Sequence, residues 1–236
     1  MHLLPRAAST DDIVRAARVA ALPIGSFEQH GGHLPLITDT LVACIVAESL
    51  VGTSDLLLLP PITFSCSHEH GGFPGTVALR ATTLIAVIDD IRESLRASSG
   101  IDKLVLVNGH GGNYVLSNVA QQANVGGRHV LVFPSSDDWR RAREHAGMVT
   151  TNHDDMHAGE LETSLLLHAV PDVVRPTFTD ADHDAADRPH FLLGGVGAYS
   201  ETGVIGRPSA ATPEKGKAAL ESLRATFVER LEALLA

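Results

Sequence analysis

The segment from residue 19 to residue 50 decides the fold, because a strand signal, a polar loop and a helix signal follow one another within it. It begins with the apolar run VAALPI (Val19–Ile24), continues as GSFEQHGGHLPLITD (Gly25–Asp39) and ends in a helical pattern from Thr38 to about Leu50. A short buried strand that leads through a loop into a helix is the repeating unit of a parallel α/β sheet.

The same order recurs along the rest of the chain. Further strands are predicted at Leu56–Ile62, Lys103–Val107 and His129–Phe133, and further helices from about Thr82 to Ser98, up to about Asn124, and after Thr212-Pro213 to the C terminus. This alternation predicts an α/β fold in which a mostly parallel sheet carries helices on both faces. We expect a single domain over residues 1–236, with the apolar stripe of the last helix in the core or at a subunit interface.

The composition of the chain disfavours several classes of binding partner. The chain has 236 residues, 44% of them apolar, and a formal net charge of −10. Such a charge repels phosphate backbones and anionic membrane surfaces, so nucleic acid and membrane partners are disfavoured. The only cysteines are Cys44 and Cys66, and no stretch resembles a signal peptide or reaches the ~20 apolar residues of a membrane span. These features predict a cytoplasmic protein without a disulfide framework.

Polar segments follow the predicted strands. Gly25–Asp39 follows the first strand, Thr63–Thr76 the second and Asn108–Asn113 the third. Open α/β sheets bind ligands beyond the carboxyl ends of their strands, so these segments are expected to converge although they lie far apart in sequence.

The first and third of these segments carry metal-binding side chains. In an extended segment, Glu28 and His30 would project to the same face, and His110 in NGHGGN would face the same crevice. NGHGGN has neither the GxGxxG spacing nor the GxxxxGK[ST] pattern, which makes nucleotide binding a weak interpretation. Any one of these residues alone could instead cap a helix or form a turn.

A further cluster lies in DDMHAGELETS, from Asp154 to Ser164. If this segment is helical, His157 and Glu160 share a face, whereas Glu160 and Glu162 point roughly 200° apart. Only one of the two glutamates should then reach a given ion. As an alternative, glutamates in the first turn of a helix favour its dipole without any metal.

Carboxylates and imidazoles without thiolates suit zinc and manganese. Two neighbouring ions need a bridging carboxylate, and Asp39 has the short side chain and fixed position for this role, at the start of a helix whose predicted N-cap is Thr38. Water held between such ions loses a proton near neutral pH and becomes a nucleophile.

The motifs GSFEQHGGHLPLITD, NGHGGN and HAGELETS, taken together and in this order, resemble those of the creatininase family of metal-dependent amidohydrolases. The resemblance spans nearly the whole chain. It implies a three-layer α/β/α sandwich, two zinc or manganese ions per chain, hydrolysis of an amide, lactam or formamide C–N bond by a metal-activated water, and a homo-oligomer, often a hexamer built as a trimer of dimers.

The resemblance also implies roles for single residues. Glu28 and His110 would bind one ion, His30 the other and Asp39 both, while His157 would donate a proton to the departing nitrogen. As the alternative, His157 would be a further metal ligand or a hydrogen-bonding group at the helix start.

The chain departs from creatininase at Gly112, where that enzyme has a metal-binding glutamate. We expect Glu160, which lies near His157, to replace the missing ligand. Creatininase also closes tryptophans over its ring substrate, whereas this chain has only Trp139, so creatinine is a doubtful substrate.

Relatives with NGHGGN include formylaminopyrimidine deformylases and the peptidase that trims the mycofactocin precursor. A small molecule or a short peptide is therefore the expected substrate, and a non-catalytic metabolite-binding protein is the competing interpretation. The predicted substrate contacts are Ser67, His68, His70, Asn113 and Asp154.

Overall fold

A parallel four-stranded sheet forms the centre of the computed structural model, which describes residues 4–52 and 55–236. Its strands are β1 (Val19–Ile24), β2 (Leu56–Leu58), β3 (Lys103–Asn108) and β4 (Val130–Phe133), in the spatial order β2-β1-β3-β4. The first strand is thus central, and its last residue, Ile24, is in register with Asn108 at the end of β3.

Helices connect and cover these strands. They are α1 (Asp12–Ala16), α2 (Thr38–Leu50), α3 (Ala81–Ser99), α4 (Val115–Ala123), α5 (Ser136–His145), α6 (Glu160–Ala169), α7 (Phe191–Gly194) and α8 (Pro213–Leu235).

Alternate residues of each strand face opposite layers, as the two-residue period of a strand requires. Val19 and Ala21 of β1 pack into a core shared with α2, α5, α6 and α8, while Ala20 and Leu22 pack into a second core shared with α3 and α4. The α/β fold with helices on both faces of a parallel sheet, predicted as a three-layer α/β/α sandwich, is confirmed.

The end of β2 and the N-cap of α2 differ from the prediction for local reasons. β2 ends at Leu58 rather than Ile62, because Pro60 and Pro61 have no N–H to donate to a neighbouring strand; the chain regains pairing only at the isolated bridge between Ile62 and Ile24. Helix α2 begins at Thr38, with Ile37 as its N-cap, and the Thr38 hydroxyl donates to the Pro35 carbonyl instead of capping the helix.

The apolar stripe of α8 lies in the core. Leu220, Leu223, Phe227, Leu231 and Leu234 are all buried in the cluster that α8 shares with α6. Within the described parts of the chain, no helix combines the length and apolarity that crossing a membrane would need.

Candidate metal centre and active site

The loops after β1 and β3 meet over the first turn of α2. A Cβ on Gly25 would overlap the backbone of Thr40, and a Cβ on Gly109 would overlap the Asp39 carbonyl oxygen. Glycine at these two positions therefore lets both loops touch the helix backbone, which places Asp39 between them.

Asp39 separates two sets of donor atoms. On one side, Asp39 Oδ2 lies 3.1 Å from His110 Nδ1, which is also 3.3 Å from Glu28 Oε1. On the other side, Asp39 Oδ1 lies 3.1 Å from His30 Nε2, and Glu162 Oε1 is 3.8 Å from the same nitrogen. Two ligands of one tetrahedral ion with bonds of about 2.1 Å lie about 3.4 Å apart, so each set has the spacing of a metal site.

Hydrogen bonds orient both imidazoles toward these sites. His30 Nδ1 donates to the Glu28 carbonyl (3.1 Å), which leaves Nε2 facing Asp39. His110 Nε2 donates to the Cys66 carbonyl (2.8 Å), which leaves Nδ1 facing Asp39 and Glu28. An imidazole held in this way presents the unprotonated nitrogen that a metal requires.

The cluster is buried and needs positive charge. Burial, reinforced by the Asp39 charge, raises the pKa of Glu28 to about 7. Burial opposes protonation of His30 and His110, yet the nearby carboxylates raise the pKa of both imidazoles well above the usual value. Among the described residues, both Glu28 carboxylate oxygens and Asp39 Oδ2 have no hydrogen-bond partner. Buried carboxylates that accept few hydrogen bonds are costly, and divalent cations would neutralise their charge, so the donor set fits two such ions.

The structure does not bring Glu160 to this cluster, which corrects the prediction. Glu160 is the first residue of α6, and its carboxylate accepts hydrogen bonds from Thr150 N (3.0 Å) and Thr150 Oγ1 (2.6 Å) and pairs with Lys215 Nζ (2.6 Å). Because the helix starts at Glu160, His157 lies before it and the two do not share a helical face. Glu162 faces His30 instead.

An unusual backbone conformation supports the position of Glu162. Ala158 has φ of 55°, in the left-handed region that residues other than glycine seldom adopt. Its N–H donates to Glu162 Oε2 (2.6 Å), and its carbonyl accepts from His33 Nε2 (3.1 Å). These two contacts hold the turn that joins His157 to α6.

His157 adjoins both donor sets. Its backbone pairs with Ile205 in an isolated bridge, and its Nε2 donates to the Gln29 carbonyl (2.6 Å). Nδ1 therefore carries a lone pair and lies 3.7 Å from Glu28 Oε1. Burial and the neighbouring His30 lower the pKa of His157 to about 4, which keeps its ring neutral.

Of the predicted substrate contacts, His70 and Ser67 are buried near the cluster or its supporting loop. His70 Nε2 lies 3.1 Å from Glu28 Oε1, and its pKa is lowered by burial and by the neighbouring histidines. Ser67 follows Cys66, the residue whose carbonyl binds His110, and its hydroxyl has no hydrogen-bond partner among the described residues.

The other predicted contacts have different surroundings. His68 is exposed and lines a cavity of about 570 Å³. Asn113 is buried, and its side chain joins two loops, because it donates to Asn108 Oδ1 (3.0 Å) in its own loop and accepts from Cys66 N (3.3 Å) in the loop after β2. Asp154 is exposed, accepts a hydrogen bond from Thr151 Oγ1 (2.7 Å), and forms no ion pair with His157 in the described structure.

Two supporting residues were not predicted. Gln29 links His70 and His157, because its side-chain amide nitrogen contacts His70 Nδ1 (2.9 Å) and its backbone carbonyl accepts a hydrogen bond from His157 Nε2. His33 holds the Ala158 turn. Both lie in the first motif, GSFEQHGGHLPLITD, so their position in that motif was the available signal.

The chain is similar in sequence and in fold to proteins of known function. The family model for creatininase (creatinine amidohydrolase) matches residues 7–231. The mycofactocin precursor peptide peptidase of Mycolicibacterium smegmatis is 36% identical over 207 residues, covering 83% of this chain and 77% of the relative. The creatinine amidohydrolase of Pseudomonas putida is 29% identical over 232 residues, covering 87% of each chain.

A solved structure described as manganese creatininase has a TM-score of 0.77 to this chain at 26% identity, covering 93% of this chain and 92% of the other. The family match, the similar sequences and the similar fold coincide with the buried carboxylate and imidazole groups at the ends of β1 and β3. The chain therefore belongs to the creatininase family of hydrolases that act on carbon–nitrogen bonds.

Proposed function

We propose that the chain is a dinuclear metallohydrolase that cleaves an amide-type C–N bond in a short peptide or a small molecule. The observation that carries this proposal is the position of Asp39, whose two carboxylate oxygens face separate donor sets. Asp39, Glu28 and His110 would hold one ion, and Asp39, His30 and Glu162 the other.

The donor set favours zinc or manganese, since it has carboxylates and imidazoles but no thiolate. When bound, such ions lower the pKa of water to near 7 and polarise a carbonyl oxygen. The protein keeps the ligands in position through the hydrogen bonds of His30 and His110 to backbone carbonyls.

His157 is proposed to move the proton between nucleophile and leaving group. Its Nε2–H is committed to the Gln29 carbonyl, and its Nδ1 lone pair faces the cluster. A neutral imidazole in this orientation can accept a proton from the attacking water and give it to the nitrogen of the broken bond. The amine then leaves in its neutral form, which a positioned acid accelerates by ~10²–10⁴-fold.

The cavity beside the centre suits a substrate larger than a single ring. It measures about 570 Å³ and contains Glu69 and Gly112, both adjacent to His110, together with the largely exposed side chains of Tyr114, Leu192 and Leu193. Apolar lining side chains beside a polar centre match the two needs of a short peptide, which has apolar side chains and a polar scissile bond. The similarity to a precursor peptide peptidase supports the same choice.

The homo-oligomer, the hexamer and the cytoplasmic location remain predictions from the sequence. Light scattering of the purified protein measures the assembly directly.

An assay of the metal-loaded protein tests the proposed function. The substrates are short peptides, lactams and formamides, and metal content is measured on the same sample. We expect about two ions per chain, turnover of at least the peptide class, and loss of turnover after chelation. A chain that bound a substrate without hydrolysing it, and whose binding ignored the chelator, would instead be a metabolite-binding protein.

The variant His157→Ala separates proton transfer from metal binding. It should retain both ions and lose ~10²–10⁴-fold in kcat with little change in KM. Loss of an ion would make His157 a ligand, and normal turnover would remove it from the reaction. His168→Ala, in the last turn of α6, is the matched control and should behave as the unmodified chain.

A further inference from the structure

Glu69 lies at the edge of the metal centre but belongs to neither donor set. It is the middle residue of a short 3-10 helix, His68–His70, and its side chain is 18% exposed toward the cavity. Its Oε1 lies 3.4 Å from His110 Nε2, the nitrogen that faces away from Glu28 and Asp39. Glu69 therefore contacts His110, a proposed metal ligand, on the side of the ring opposite the proposed ion.

Two glycines make room for Glu69. A Cβ on Gly112 would overlap both Glu69 Oε1 and His110 Nε2, and a Cβ on Gly195, where φ is 62°, would overlap the Glu69 carbonyl oxygen. The carboxylate thus occupies the space that a side chain at position 112 would fill, while the backbone is held from the other side. Close approach of this kind fixes a side chain that would otherwise have several rotamers.

The position of the Glu69 carboxylate affects which tautomer the His110 ring adopts. His110 Nε2 donates to the Cys66 carbonyl (2.8 Å), and the Glu69 carboxylate lies beside the same N–H. A negative charge next to this N–H favours the tautomer with the proton on Nε2, and it makes the opposite nitrogen, Nδ1, a stronger electron donor. Loss of a carboxylate that supports a ligating histidine typically weakens metal affinity by about 10–100-fold.

We propose that Glu69 is a positioning residue for His110, and that position 112 is glycine so that the Glu69 carboxylate can reach it. The proposal rests on the metal centre described under the proposed function. It concerns only the ion held by Glu28, Asp39 and His110, so the ion held by His30 and Glu162 should be insensitive to Glu69.

The test measures metal affinity, without turnover, by competition of zinc or manganese with a chelator of known affinity. Glu69→Gln should weaken one of the two binding steps by about 10–100-fold and leave the other unchanged. Gly112→Ala should weaken the same step, because its methyl group crowds both the Glu69 carboxylate and the His110 ring. The double variant Gly112→Ala, Glu69→Ala should lose less than the sum of the two single losses, since both changes act on the same imidazole, His110.

Gly111→Ala is the matched control, because a Cβ at this neighbouring position meets nothing within 4 Å. Its affinity for both ions should equal that of the unmodified chain. Circular dichroism on each variant verifies that the fold is retained. Glu69→Asp keeps the negative charge, so it should recover part of the metal affinity that is lost in Glu69→Ala.

Three results would overturn the proposal. Unchanged affinity in Glu69→Gln would show that the Cys66 carbonyl alone positions His110, while the proposed metal centre would stand. Additive losses in the double variant would show that Gly112 and Glu69 act separately. An unmodified chain that bound no divalent ion would overturn both this proposal and the proposed function.

Discussion

Two glutamates in the first turn of α6 have different surroundings although only one residue separates them. Glu160 is fully buried and balanced by Lys215 and the Thr150 backbone, whereas Glu162 faces His30 and is 18% exposed. The first of these contacts stabilises the fold, and the second leaves one carboxylate oxygen directed at the proposed metal site.

Exchanging each glutamate for glutamine should separate these roles. Glu162→Gln should lower metal content from about two ions per chain to about one with little change in the stability of the metal-free chain, because a neutral amide is a poor ligand. Glu160→Gln should keep both ions but lower the free energy of unfolding by about 2–4 kcal/mol, since it leaves Lys215 without its partner in a largely buried pair. Metal analysis and urea unfolding measure the two effects, and reversed phenotypes would return Glu160 to the ligand set.

Replacing Asp39 by asparagine should affect both ions together. Each of its carboxylate oxygens faces a different donor set, and an amide offers only one oxygen and a weaker negative dipole. We expect metal analysis of Asp39→Asn to give close to zero ions per chain under conditions that saturate the unmodified protein. Retention of one tightly bound ion would show that Asp39 serves a single site and does not bridge.

For single residues, the sequence predicts which residues belong to the candidate site better than it predicts the directions of their side chains. Glu28, His30, Asp39 and His110 could be grouped because each follows a predicted strand or starts the next helix, and parallel strands bring such positions together. The choice between Glu160 and Glu162 depended on where α6 begins, and helix boundaries are poorly determined by sequence. Ala158 adopts a left-handed backbone conformation that changes the direction of the chain before α6, and no pattern in the sequence predicts it.

Among the elements, α2 packs directly against the site loops. Its first turn touches the backbone of the loops after β1 and β3, at Gly25 and Gly109. Helix and loops therefore form one unit, and the position of Asp39 depends on the absence of a side chain at both glycines.

Gly109→Ala should damage both stability and metal binding. Its methyl group would overlap the Asp39 carbonyl oxygen and crowd the Ala43 backbone, neither of which can rotate away. We expect a loss of about 1–3 kcal/mol, typical of overpacking, together with weaker binding of both ions. Urea unfolding and chelator competition measure these effects. Gly32→Ala, where a Cβ meets nothing within 4 Å, should change neither quantity.

The elements were predictable where periodicity was strong. The strands β1, β3 and β4 and the helices α2 and α3 lie within a residue or two of their predicted ranges, because apolar runs and helical spacing mark them. The extent of β2 was overestimated, because an apolar composition continues through Pro60 and Pro61 while hydrogen-bonding capacity does not.

For the whole molecule, the buried carboxylates of the proposed metal centre link folding stability to metal binding. Ions that bind only the folded chain stabilise it by about 2.7 kcal/mol per site when present at 100 times their dissociation constant. For a chain of this size such a gain raises Tm by roughly 5–10 °C. Thermal unfolding with zinc, with manganese and after chelation should show this difference, and equal Tm values in all three would mean that folded and unfolded chains bind the ions equally or not at all.

The central position of β1 also has a consequence for the order in which the site is assembled. β1 is made first, yet β3, one of its two neighbours, begins only at Lys103, and pairing between such distant parallel segments is slow. A chain leaving the ribosome therefore presents Glu28, His30 and Asp39 long before His110 and Glu162 have been synthesised. Ion uptake during refolding should accordingly follow the change in fluorescence of Trp139, which packs against the core shared with α8, because an ion that arrived earlier would meet only two of its three proposed ligands.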